Sequence, residues 1–328
     1  MSSPTKFLII RFSSIGDIVL TTPVIRCLKE QFPGAEIHFC TKARYRFTLE
    51  ANPFIDKLWC LEGSMGDLVS MLRKEKYDYI IDLHNNLRTF RIKMELGVKT
   101  FSFPKLNMQK WLLTRFKINT LPQVHIVDRY MSTVTPLGVI NDEKGLDYFI
   151  PYRDEVEQDW IPATHRRGYV AYAIGGQHNT KKLPTRRIIE LCRKINYPII
   201  LLGGKEDAEA GEEVRKYLGD DLIFNACGKC TFNQSASLLK QSRLVFTHDT
   251  GLMHVAAAFK KKTYSIWGNT IPLFGMYPYK TPFVVLENNS LKCRPCSKIG
   301  YKRCPLGHFK CMNDIQFNFE LRELRSKK

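Results

Sequence analysis

A chain of 328 residues with 44% hydrophobic and 25% charged side chains has an ordinary globular composition and is too long for one hydrophobic core, so two domains of roughly 150 residues are expected. No apolar run approaches the roughly 18 residues of a spanning helix, and Met1 to Lys6 leads directly into a short strand, not a signal segment, which excludes membrane-spanning and secreted classes and predicts a cytoplasmic location. The net charge of +18 predicts an anionic partner (nucleic acid, a membrane surface or a phosphorylated substrate), and the ten cysteines of a large chain without a signal are expected mostly as reduced thiols.

Phe7-Leu8-Ile9-Ile10-Arg11 is a continuous apolar run of strand length, broken by the small polar stretch Phe12-Ser13-Ser14-Ile15-Gly16-Asp17. A turn at the C-terminal end of such a strand is where open α/β sheets bind ligands. Thr22-Pro23 reads as an N-cap followed by a first-turn proline, with Ile25, Leu28 and Phe32 carrying the inward face to Pro33-Gly34. Asp17 is thus placed in a turn ahead of the proline-marked helix, either capping that turn or doing chemistry there. Strand and helix patterns then alternate: Ile37 to Cys40, Ala43 to Glu50, Ile55 to Cys60, Asp67 to Lys74 and Tyr79 to Asp82. That alternation predicts a parallel sheet with helices on both faces. Arg44, Arg46, Arg88, Arg91 and Lys93 fall just after predicted strands, on the same rim as Asp17 or on a solvated helix face. Val124 to Leu137 is predicted as a closing helix and Asn141 to Arg167 as a linker, giving domains 1–150 and 151–328.

The alternation restarts with a strand over Tyr169 to Ile174 and a helix from Pro184, with Ile188, Leu191, Cys192 and Ile195 inward, followed by a strand over Pro198 to Leu202. Gly175-Gly176, with Lys181 and Lys182 shortly after, is a glycine-opened loop suited to phosphate oxygens. Leu201-Leu202-Gly203-Gly204-Lys205-Glu206 repeats the design with a carboxylate of the type that hydrogen-bonds a ribose hydroxyl, or that simply caps a helix. Leu244 to Thr247 is strand-like, and helical spacing begins at Leu252, so Asp249 or Thr250 falls at an N-cap. The open N–H groups there form an anion site, Gly251 lets a ligand approach, and His254 lies one turn on from Thr250. A capped core helix with a satisfied histidine is the alternative for that stretch.

Ser14-Ile15-Gly16-Asp17, Lys181-x-x-Pro184, Gly204-x-Glu206, Asp249-Thr250-Gly251-x-x-His254-x-Ala256-Ala257 and Trp267-Gly268-Asn269-Thr270-Ile271-Pro272 resemble, in this order, glycosyltransferase family 9, the heptosyltransferases of lipopolysaccharide synthesis. Leu183 departs from the family's common aromatic before Pro184, and Met253 from its frequent serine. The resemblance implies an α/β protein of two facing Rossmann-like domains of the GT-B type, an acceptor-binding N-terminal one and a nucleotide-sugar-binding C-terminal one. It implies inverting transfer of a sugar, heptose from ADP-heptose, onto a lipopolysaccharide core or related phosphorylated glycolipid, with peripheral residence on the inner leaflet of the membrane. Asp17 then occupies the catalytic base position, and Lys181 with Gly175, Gly176, Thr250 and Gly251 holds the diphosphate. Gly16, Glu206, Asp249 and His254 join the nucleotide-sugar set, and Arg44, Arg46, Arg88 and Arg91 the acceptor set. With no Asp-x-Asp in the sequence, metal-independent catalysis without a cofactor is expected.

Other readings stay open: a transferase or epimerase acting on another nucleotide sugar, or a basic nucleic-acid-binding protein, although no nucleic-acid recognition motif is present. Cys293, Cys296, Cys304 and Cys311 could make a tetrahedral structural zinc site or stay reduced thiols. Asn318 to Lys327 is predicted as a final helix, which the resemblance would return to the first domain.

Overall fold

The computed structural model describes residues 4–325 and divides the chain into two compact α/β units. The first comprises residues 1–106 and 123–151, the second residues 107–122 and 152–328.

In the first unit, β1 (Thr5–Ile10), β2 (Ala35–Lys42), β3 (Lys57–Leu61), β4 (Tyr79–Asp82) and β5 (Lys99–Ser102) form a wholly parallel sheet in the order β3-β2-β1-β4-β5. β1 is central because its run Phe7 to Ile10 is apolar on both faces, and all four side chains are fully buried. In the second unit, β6 (Val170–Ala173), β7 (Ile199–Leu202), β8 (Ile223–Asn225), β9 (Leu244–His248), β10 (Thr263–Trp267) and β11 (Phe283–Glu287) are also all parallel, in the order β11-β10-β9-β6-β7-β8. Both orders reverse direction once, between β1 and β4 and between β6 and β9. Such a switch point opens a crevice at the carboxyl ends of the strands, because the flanking connections leave to opposite sides. Helix Thr185–Ile195 packs Ile188, Leu191, Cys192 and Ile195 against this second sheet, as its spacing predicts.

Several sequence expectations are corrected. The stretch 141–151 is no loose linker: buried Arg26 is bonded to Asp142, Asp147 and the Gly145 carbonyl, which fastens it to the first unit. The segment 107–122, inside the expected first domain, belongs to the second unit and contains the helix Asn107–Phe116. Lys117 on this segment donates to the carbonyls of Cys293 and Pro295 at 3.0 and 2.7 Å. The closing helix is short, Ile126–Met131, followed by a 3-10 turn at Thr135–Leu137. The C-terminal segment also stays with the second unit: the Phe319 ring lies 5.2 Å from Phe246 and 5.3 Å from Tyr264, and the helix it precedes is only Arg322–Arg325. Ser326 and Lys327, the end of the expected helix, lie outside the described residues.

Candidate active site

The first switch point is organised by Arg11, immediately after β1. Its guanidinium is nearly buried and bonds the Ser13 carbonyl at 2.7 Å, the Leu83 carbonyl beyond β4 at 2.5 Å, and Asp17 Oδ1 at 2.6 Å. Burial alone would lower its pKa, but the adjacent Asp17 carboxylate raises it, so the cation is secure. Asp17 does not lie in a turn ahead of a helix. It occupies the third position of a short helix, Ile15–Val19, and its Oδ2 accepts from the Ser14 N–H at 3.0 Å and the Ser14 hydroxyl at 2.6 Å. This half of a capping box, together with Arg11, fixes both carboxylate oxygens while leaving the side chain 21% exposed. Gly16, buried in the same turn, lies beside Asp17 in the first unit. His84 stands next to this group with its ring 5.8 Å from Phe12. Burial, reinforced by Arg11 and Lys105, lowers its pKa to about 4, so it is neutral near pH 7.

The cations at the strand ends divide into two sets. Arg88 and Arg44 lie close enough to Lys42, at the end of β2, that they join burial in lowering its pKa. This gathers three cations at the carboxyl rim of the first sheet, and Lys42 was not singled out by the sequence reading. Arg46 instead lies 3.9 Å from Glu50 and Arg91 3.7 Å from Glu95, both largely exposed. Lys93 is taken by buried Asp82 at 3.0 Å.

The second switch point joins the loops after β6, β9 and β10. Lys181 Nζ lies 2.6 Å from Asp249 Oδ2, and Thr270 donates to that same oxygen at 2.8 Å. Lys182, the next residue in the same loop, is tied to Asp207 at 3.0 Å. Asp207 also accepts from the Gly204 N–H at 3.0 Å, so it braces the β7 loop. A Cβ at Gly175 would come within 2.7 Å of that carboxylate, too close for the paired Asp207 to stay where it is, whereas one at Gly176 would meet the Lys182 side chain at 3.1 Å and ask only a small shift of it. His248 is fully buried, and burial lowers its pKa to about 4; neutral, it accepts from the Leu183 N–H at 3.1 Å and holds the β6 loop to the end of β9. Thr250 is the N-cap of helix Gly251–Ala258, and its side chain makes no capping hydrogen bond; the Met253 N–H donates to the Thr250 carbonyl at 3.2 Å, which leaves the N–H groups of Thr250, Gly251 and Leu252 to meet an anion. His254 is buried in that helix, 2% exposed, a core position rather than an open one. Glu206 is exposed at the tip of the β7 loop, with its carboxylate folded back against Gly204.

Of the four C-terminal cysteines, Cys293, Cys296 and Cys304 lie in one loop and Cys311 in the short helix Lys310–Asn313 that follows it; in the loop, Arg294 is nearly buried and bonds the carbonyls of Trp267, Gly268, Thr270 and Asn288 and the Glu287 carboxylate. Burial, then the neighbouring thiols, raises the Cys296 pKa and pushes that of Cys311 up to about 12. Their sulfurs do not crowd together, however: among the described residues, the one group of three metal-ligating side chains with all ligand atoms within 4.8 Å is Glu36, His38 and Glu75. Lys6 and Lys57 already neutralise that group, at 3.1 and 2.5 Å from Glu75. Among the described residues, no helix is long and apolar enough to cross a membrane.

The sequence profile of glycosyltransferase family 9 (heptosyltransferase) matches residues 65–306. Lipooligosaccharide heptosyltransferase 2 of Campylobacter jejuni is 32% identical over 308 residues, covering 92% of each chain. A glycosyl transferase family 9 protein from Veillonella parvula superposes with a TM-score of 0.71 at 22% identity, covering 87% of this chain and 86% of that one. E. coli ADP-heptose lps heptosyltransferase II superposes with 0.68 at 20% identity, covering 94% and 98%. These likenesses show a fold of two Rossmann-like domains of the GT-B type.

Proposed function

The chain belongs to glycosyltransferase family 9, and from that premise we propose that it moves heptose from ADP-heptose onto a lipopolysaccharide core with inversion. The observation that carries the reading is Asp17, a carboxylate held by Arg11 and Ser14 at the first switch point yet open to solvent on one side. Inverting transfer needs a base that removes the acceptor hydroxyl proton as the oxygen attacks the anomeric carbon, and Asp17 is the group we assign to that step. Arg11 orients this carboxylate and does not itself touch substrate. In the second unit, Lys181 and the open N–H groups at Thr250 and Gly251 are assigned to the departing diphosphate, with Gly175 and Gly176 giving the close approach. Glu206 is assigned to a donor hydroxyl, and Asp249 positions Lys181. The test is release of ADP coupled to a heptose mass increment on the acceptor. A preference for UDP-sugars, or epimerisation without transfer, would favour the alternative nucleotide-sugar enzyme instead.

The phosphorylated acceptor is assigned to the first unit. Lys42, Arg44 and Arg88 support this, because burial and then the two guanidiniums disfavour the Lys42 charge, and an incoming phosphate would offset that repulsion. Replacing Arg44 and Arg88 together by Ala is expected to raise the acceptor KM about tenfold or more and to leave ADP affinity unchanged. Wild-type kinetics on a phosphorylated acceptor would remove the acceptor from this rim. Arg46 and Arg91, each near a glutamate, should have smaller effects. An acceptor anchored in the inner leaflet would bring the enzyme to that surface peripherally from the cytoplasm, where its net positive charge favours anionic lipid.

Catalysis without a metal is supported by the missing Asp-x-Asp and by a lysine at the position where a bridging ion would otherwise neutralise the diphosphate. A structural zinc at Cys293, Cys296, Cys304 and Cys311 is a separate proposal, supported by four cysteines within 19 residues that open on a Cys-x-x-Cys pair. The loop would have to draw the sulfurs together around the ion. Metal analysis of the purified protein is expected to find close to one equivalent of zinc, while transfer persists in EDTA. Less than about a tenth of an equivalent would assign these residues as plain thiols.

A further inference from the structure

Helix Leu87–Leu96 carries two apolar ridges where an amphipathic surface helix has one. The inner ridge is buried Ile92 with buried Thr89 and half-buried Leu96. The outer ridge is Leu87, Phe90 and Met94, which are 88%, 56% and 68% exposed. At about 100° per residue these three fall in an arc of roughly 60°, on the side opposite Ile92. Arg91, then Glu95, then Arg88 border the ridge on one side, and Arg73 of the neighbouring helix Met65–Lys74, which with Arg91 pairs Glu95, lines a shallow groove with Phe90, Arg91, Met94 and Glu95. Among the described residues Arg88 has no carboxylate within 4.0 Å. Large apolar side chains scattered singly on a surface need no explanation; three aligned on one helix face and bordered by cations do.

We infer that this outer ridge docks the protein on an anionic lipid bilayer, with Leu87, Phe90 and Met94 entering the boundary between headgroups and acyl chains while Arg88 and Arg91 meet lipid phosphates. The inference deepens the proposed function and rests on its assignment of a lipid-anchored acceptor. A bilayer fits better than a second copy of the chain for two reasons. A ridge of three side chains is far smaller than the roughly 20–30 residues and ~800 Å² that each partner of a stable dimer buries. A second copy would also bring another +18 charge against bordering cations, whereas an anionic surface attracts them. Binding of this kind combines apolar insertion with screened electrostatic attraction, so salt should weaken it without abolishing it.

The test uses the full chain and vesicles of phosphatidylcholine with and without phosphatidylglycerol, read by co-sedimentation. Wild-type protein is expected on the phosphatidylglycerol vesicles, and the triple variant Leu87→Ser, Phe90→Ser, Met94→Ser should bind them about tenfold more weakly or worse. Because all three side chains are exposed, the variant should melt as the wild type does, and its transfer to a water-soluble acceptor fragment should be unchanged. That transfer assay reports on the proposed activity and the vesicle assay on docking, so either can fail alone. Equal vesicle binding by the variant, no vesicle binding by the wild type, or a wild-type dimer that the variant dissociates would overturn the inference.

Discussion

Asp17→Asn is expected to lower kcat by roughly 10²–10⁴-fold while ADP binds as before, because a base contributes to the transition state and little to ground-state affinity. The structure makes this substitution informative. Asn keeps the shape, and its carbonyl oxygen can still accept from the Ser14 N–H, now 3.0 Å from Oδ2. What disappears is the negative charge 2.6 Å from Arg11. Arg11 keeps its bonds to the Ser13 and Leu83 carbonyls, so the turn should hold, although leaving a nearly buried cation without its counter-charge will cost some stability. A thermal melt separates that cost from lost chemistry: a variant folded at the assay temperature with intact ADP affinity and no transfer fits the base assignment. Near-normal turnover would remove Asp17 from the mechanism and direct attention to His84, the neutral imidazole beside the same group.

The strands β1 to β4, β6, β7 and β9 were legible because parallel strands buried on two faces read as unbroken apolar runs, as in Phe7 to Ile10 and Ile199 to Leu202, whereas β5, β8, β10 and β11 were not read as strands. The helix Ile15–Val19 was not, because five residues are too few to show a period, and so Asp17 was placed in a turn it does not occupy. The helix Asn107–Phe116 was hidden for a different reason. It leaves Met108, Trp111 and Phe116 exposed, so its inward face carries almost no contrast. The C-terminal error had a visible signal: Phe317, Phe319 and Leu321 alternate at a spacing of two, which suits an extended segment laid on Phe246 and Tyr264 better than a helix. At the candidate site, sequence located the turns but could not apportion them. The motif Lys181-x-x-Pro184 singled out Lys181 by resemblance, but the role of Lys182 became legible only from its partner, because Asp207 makes it the brace of a loop while Asp249 holds Lys181 at the switch point. Arg11 was read as the end of a strand because nothing local marks a guanidinium whose partners include Leu83, 72 residues away.

Lys181→Ala is expected to weaken ADP binding by about ten- to a hundredfold and kcat/KM by roughly 10²–10³-fold, since charge developing on the departing diphosphate is what this ammonium is assigned to meet. Its pairing implies more than the loss of one contact. Asp249 is only 11% exposed and shares its Oδ2 between Lys181 and the Thr270 hydroxyl. Without the lysine, that carboxylate stays next to the N-terminus of helix Gly251–Ala258 with its charge uncompensated, at the place where a diphosphate is expected. Part of the lost affinity should therefore be repulsion, and adding Asp249→Asn to Lys181→Ala should recover part of it. Calorimetric ADP titrations on the two single variants and the double variant measure this coupling directly. Lys182→Ala provides the contrast: it frees nearly buried Asp207, which braces the β7 loop, so it should lower thermal stability more than it alters catalysis. Wild-type ADP affinity in Lys181→Ala, or no recovery on adding Asp249→Asn, would leave the diphosphate to the backbone N–H groups of Thr250 and Gly251 alone.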